Sequence, residues 1–198
     1  MGWLFLASVL QGQDIHFSQF YNAPLSINPG LTGIFGGDVR LAATYRNQWS
    51  AASVPFVTYH LSVDGKIFNP RNEKGFFSWG LTLFHDEAGD ISLTNSQVNG
   101  SFSYTLQLDP QNYLTLGLLA GLAYNRLGTN GTTTDQQYVD GRFVPTAATG
   151  EQFSNDDLLY PDFGVGLNWH GQLPGKRSRL NVGAGLFHLN RPDQNFMA

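Results

Sequence analysis

The residues with most chemistry to offer are His85, Asp86, Glu87 and Asp90, one imidazole and three carboxylates within six positions. Such a set could ligate a divalent cation through oxygen and nitrogen, but it falls where two strands are expected to join, and a polar loop accounts for it better. His16, His60, His170 and His188 show no ligand spacing on one element. Zero cysteines exclude a thiolate zinc site, an iron–sulfur cluster, a disulfide frame and a lipoprotein-type acylation site. The Gly-x-Gly pairs at Gly164/Gly166 and Gly183/Gly185 lack the third glycine and the strand-to-helix context of a phosphate cradle. In strands they read as space left in a lumen or as relief for curvature. Gly117 and Gly121 have helix-dimer spacing in a stretch too short to be a membrane helix, and no serine stands in a nucleophile elbow. The expectation is a protein that is not an enzyme, with no catalytic residue, no cofactor and no metal.

Residues suited to recognition stand elsewhere. Gln13–Gly33 holds three aromatics and two prolines and follows no sustained period, so it is expected to be ordered loop or extended chain that does not insert as a strand. Its aromatics need burial, which a barrel offers in the lumen or at the periplasmic mouth. Asp14, His16, Phe17, Gln19, Phe20, Tyr21, Asn28 and Pro29 are the candidates for partner contact or for a plug. Arg46, Asn47, Gln48 and Trp49 end the first expected strand and are candidates to organise the first outer loop.

The elements that must position these residues are strands. Charged residues make up 13% of the 198, about half the share of an ordinary soluble domain, while 41% are hydrophobic. Mean hydropathy is −0.20, and the longest apolar run, Leu114–Tyr124, is well short of the roughly 18 residues of a membrane helix. A helical membrane protein cannot combine these values. A β-barrel can, because only alternate residues face lipid.

Strict alternation predicts seven strands. Segment 76–86 sets Phe77, Trp79, Leu81 and Leu83 against Ser78, Gly80 and Thr82, and 96–108 sets Val98, Phe102, Tyr104, Leu106 and Leu108 against Asn99, Ser101, Ser103, Thr105 and Gln107. Segments 112–126, 160–170 and 179–189 continue the series, with weaker versions at 39–48 and 56–65. Asp109–Asn112 and Leu173–Lys176 are expected tight periplasmic turns, and the polar stretch Gly128–Asp157 an extracellular loop and candidate outer contact. Tyr45, Trp49, Tyr59, Phe68, Tyr104, Tyr113, Tyr124, Tyr160 and Trp169 are expected in interfacial girdles. The net charge of −4 arises largely in that long loop, and no basic face exists for nucleic acid. Because barrels of this kind close with an even number of strands, seven strands predict part of a larger barrel. The expected organisation is a signal-peptide-like leader over 1–12, an extended luminal or periplasm-side segment over 13–38, and a partial barrel over 39–198.

Several segments carry a resemblance. Gln13-Asp14-Ile15-His16-Phe17-Ser18-Gln19-Phe20-Tyr21, then Asn28-Pro29-Gly30-Leu31-Thr32-Gly33, then Tyr45-Arg46-Asn47-Gln48-Trp49 and Pro55-Phe56, together resemble the PorP/SprF family of type IX secretion-system membrane proteins. Tyr160-Pro161-Asp162-Phe163 and Gly185–Pro192 are similar too. The chain departs at Ile15, where the family often has proline, and its leader lacks a basic region. The resemblance implies an up-and-down outer-membrane barrel of roughly 14 strands in Bacteroidota, exported with a cleaved signal peptide. It also implies a role in protein secretion and gliding, with outer-membrane lipid, other secretion components and secreted cargo or adhesin as partners. The alternative is a diffusion pore or small-hydrophobe transporter.

Overall fold

The computed structural model describes residues 20–50, 55–67, 74–88, 93–128, 137–139, 142–144, 157–172 and 178–192. Its strands are β1 (Val39–Gln48), β2 (Phe56–Ile67), β3 (Gly75–Ala88), β4 (Leu93–Asp109), β5 (Asn112–Arg126), β6 (Tyr138–Val139), β7 (Arg142–Phe143), β8 (Asp157–Gln172) and β9 (Arg179–Leu186). Seven of them form one antiparallel meander in the order β1-β2-β3-β4-β5-β8-β9, curled into a half-barrel with β1 and β9 at its edges. All seven expected strands are present. The β6–β7 hairpin inside the long connection was not expected, since two-residue strands are too short to show alternation. No helix among the described residues is long and apolar enough to cross a membrane.

The polarity of the sheet is inverted relative to a soluble sandwich, which would bury its apolar face. On β3, Phe77, Trp79, Leu81 and Leu83 are exposed, whereas Ser78, at 0% exposure, and Thr82 are buried. The same holds on β4, where Phe102 is exposed and Ser101, Ser103 and Thr105 are buried. A chain that exposes leucine and buries serine is built for an apolar solvent outside and a polar interior.

Registered pairing lines the outward side chains into rows. Leu41, Val63, Leu81, Gly100, Ala120 and Phe163 form one, and Tyr45, Tyr59, His85, Ser96 and Tyr124 form the polar-tipped row two steps nearer the long-connection end. From Phe77 to His85 the strand rises about 27 Å. At a tilt of about 40° that spans roughly 20 Å of membrane, close to the apolar band of an outer-membrane barrel.

Tyr45, Tyr59, Tyr104, Tyr124 and Trp169 face outward as a girdle requires, but Tyr113 and Tyr160 do not. Tyr113 shares the parity of Thr115 and stacks inside on His170, with ring centroids 4.9 Å apart, and Tyr160 is buried at 8% exposure. Strand parity, not distance from the strand end, decides the side. Phe68 and the turn at 173–176 lie outside the described residues. The other tight turn is closed by Asp109, whose carboxylate accepts from Gln111 N at 2.9 Å and from Asn112 Nδ2 at 2.7 Å.

Candidate functional site

Of the strip expected to contact partners, Asp14, His16, Phe17 and Gln19 lie outside the described residues. From Phe20 onward it is coiled, not extended: a 3-10 turn at Phe20–Asn22, one α-turn at Pro24–Ile27 (α1) and a second 3-10 turn at Pro29–Leu31. Each proline opens a turn, where its missing N–H and fixed φ cost nothing. Turns this short have no period to read in a sequence.

The strip lies against the inner face of the sheet. Asn28 Nδ2 donates to Leu167 O on β8 at 3.0 Å, and Asn28 Oδ1 accepts from Gly30 N at 2.7 Å. Thr32 O accepts from Ser103 Oγ at 2.8 Å, and Thr32 Oγ1 lies 3.0 Å from Ser101 Oγ. Leu25 and Pro29 are fully buried. Tyr21, by contrast, is largely exposed.

Bare backbone on the wall permits this close approach. A methyl group at Gly117 would overlap the Pro29 carbonyl, and one at Gly166 would overlap Asn28 Oδ1 and Gly30 N. Gly183 and Gly185 face Asn28 and the Ile27 carbonyl in the same way. Gly166, Gly183 and Gly185 therefore do leave space that the strip fills, whereas Gly164 faces Leu186 and Phe187.

Below this contact the strip is fastened by charge. Arg40 Nε and Nη2 each reach a different oxygen of Asp64 at 2.8 Å, across the β1–β2 register. Gly33 N donates to Asp64 Oδ2, also at 2.8 Å. Gly33 has φ +78°, and a side chain there would run into Ser78, so glycine is required by both backbone and space. Asp64 is 1% exposed, so the forked pair and the amide together satisfy a carboxylate that burial would otherwise penalise heavily. Phe35 closes the lower end: its ring lies 4.7 Å from the Arg40 guanidinium and its carbonyl accepts from Lys66 Nζ at 2.6 Å.

Arg46, Asn47, Gln48 and Trp49 do not converge. Strand alternation turns Arg46 and Gln48 inward, where their side chains bond to each other, and Asn47 outward, where Nδ2 donates to Tyr45 Oη at 3.2 Å. Trp49 stands past the strand end with φ +64° and is exposed. His85, Asp86 and Glu87 lie within β3, not in a loop, and the strand sends His85 and Asp86 to opposite faces. His85 Nδ1 lies 2.8 Å from Ser96 Oγ, and Asp86 accepts from Thr58. Asp90 lies outside the described residues, among which no group of three His, Cys, Asp or Glu is placed to hold a metal.

Sequence inspection missed Arg40, Asp64, Ser103 and the wall glycines as members of this contact. A signal did exist: Asp64 is the one acidic residue at an inward position of β1 or β2, and the same face carries the cations Arg40, Arg46 and Lys66. Asn28→Ala removes the side-chain bonds to Leu167 O and Gly30 N and is expected to cost about 1–2 kcal/mol, read from urea unfolding of the intact, detergent-folded protein.

The arrangement supplies hydrogen bonds, one ion pair and close packing between a chain segment and a wall. A family model described as type IX secretion system membrane protein PorP/SprF matches residues 9–197. No curated protein and no solved structure matches the chain.

Proposed function

The chain belongs to the PorP/SprF family of type IX secretion system membrane proteins, and on that premise we propose that it works in the bacterial outer membrane as a filled barrel that assists export or surface attachment of cargo proteins. Other components of the secretion system are the partners that follow from the family. Membrane lipid meets the outward rows of leucine and aromatics, and cargo or adhesin meets the loop end.

One observation carries this role over that of a diffusion pore: the polar inner wall is already occupied. Ser78, Ser101, Ser103 and Asp64 are buried, and Thr32 and Gly33 of the strip bond to the last three. Asp14, His16, Phe17, Gln19, Phe20 and Tyr21 lead into the seated turns and are the segment proposed to contact a secretion partner. Deleting residues 13–33 from the intact protein is expected to abolish cargo export while the barrel still fractionates with the outer membrane. Normal export after that deletion would refute the contact role. A steady open current from the undeleted protein in planar bilayers would favour the pore.

The membrane face has its own test. Leu81→Lys places a charge near mid-band and is expected to cost about 2–3 kcal/mol, against under about 1 kcal/mol for His85→Lys at the polar-tipped row. Unfolding from lipid vesicles measures both, and equal costs would argue against a membrane-spanning sheet.

A further inference from the structure

The outward surface is not evenly filled. In the row Ala43, Leu61, Leu83 and Val98, Ala43 is the small member, and the step it leaves forms a cavity of about 430 Å³ on the lipid-facing side. Ala43, Leu61 and Leu83 make its apolar floor and wall, and Tyr45, Tyr59 and His85 make its roof.

The roof is ordered. Tyr45 and Tyr59 have ring centroids 5.2 Å apart at 41°, and Tyr59 and His85 6.3 Å apart at 34°. Because Asn47 Nδ2 donates to Tyr45 Oη, the Tyr45 hydroxyl proton is left to point elsewhere. His85 holds Ser96 through Nδ1 and turns Nε2 away from it. Among the described residues, no lysine, arginine or carboxylate lines the cavity.

An occupant must therefore be apolar over its body and change to hydrogen-bonding groups within one row, about 7 Å along the strand. A lipid makes that change where its acyl chains join its head group. The roof stands at the end of the sheet that carries the long connection, so the leaflet is the outer one. The exposed ring faces of Tyr45 and Tyr59 suit a sugar head group better than a small zwitterionic one, since flat aromatic faces pack against the apolar faces of sugar rings. We infer that this cavity is a binding site for one acyl chain of an outer-leaflet glycolipid, with Tyr45, Tyr59 and His85 holding head-group oxygens. The inference rests on the outer-membrane placement proposed above.

The test uses the intact protein, extracted from outer membranes in mild detergent, stripped of lipid and titrated separately with lipopolysaccharide and with phosphatidylethanolamine under native mass spectrometry. Wild type is expected to retain one lipopolysaccharide per chain and Ala43→Trp, which fills the step, at least tenfold less. Val182→Trp, outward on β9, is expected to bind as wild type does. Equal retention by wild type and Ala43→Trp, no retention by wild type, or equal binding of phosphatidylethanolamine would each overturn the assignment. Both substitutions face outward, so comparable heat-modifiable migration on gels controls for folding. Outer-membrane fractionation distinguishes the two possible failures: protein found in the membrane without specific lipid sinks only this site, and protein absent from it sinks the placement itself.

Discussion

Gly166→Val in the intact protein is expected to unseat the N-terminal strip at a cost of about 2–4 kcal/mol. The inner face at Gly166 already holds Asn28 Oδ1 and Gly30 N where a Cβ would stand. Overpacking of this kind costs about 1–3 kcal/mol, and each displaced hydrogen bond adds about 1 kcal/mol. Valine is itself at home in a strand, so β8 keeps its pairing and the loss falls on the strip. The chain has no native cysteine, which makes labelling direct. Ala23→Cys places a thiol at a position 1% exposed, and its reaction with a water-soluble maleimide is expected to rise at least tenfold when Gly166→Val is added. Unchanged labelling would mean that the wall accommodates the larger side chain and that glycine is not what admits the strip.

Asp64→Ala is expected to cost about 2–4 kcal/mol. The substitution removes the acceptor of three bonds and leaves Arg40 without its anion. Breaking a fully buried pair costs about 3–5 kcal/mol. The Arg40 side chain is 24% exposed, so water recovers part of that, as screening does for any partly exposed pair. Adding Arg40→Met removes the stranded charge, and the double variant should be more stable than Asp64→Ala alone. Urea midpoints in detergent measure both. A loss below about 0.5 kcal/mol for Asp64→Ala would show that the pair does not hold the strip.

Much of the sheet could be read in the sequence, because alternation is a property of each strand taken alone. Phe77, Trp79, Leu81 and Leu83 declared their face without any neighbour, and the tight turn at Asp109–Asn112 was legible in its residues, whereas the register shift between Gln107 and Asp109 beside it was not. Tyr113 and Tyr160 lie inside because parity, not nearness to a strand end, sets the face. The contact between strip and wall was much harder to see. Its turns are three and four residues long, Arg40 and Asp64 sit in the two strands with the weakest alternation, and a glycine carries no side chain to say which face needs the room. Arg46, Asn47 and Gln48 are adjacent along the chain, but the pleat divides them between the two faces, which single residue types do not reveal.

The Asn28 bond to Leu167 spans 139 positions, and its consequence lies in time. Strip contacts are drawn from β2, β4 and β8, so the full set of these bonds forms only once nearly the last described strand is in place. Closing so long a loop is entropically unfavourable, and contacts of this range form slowly. The seating of Asn28 therefore reports that the wall has been assembled as far as β8.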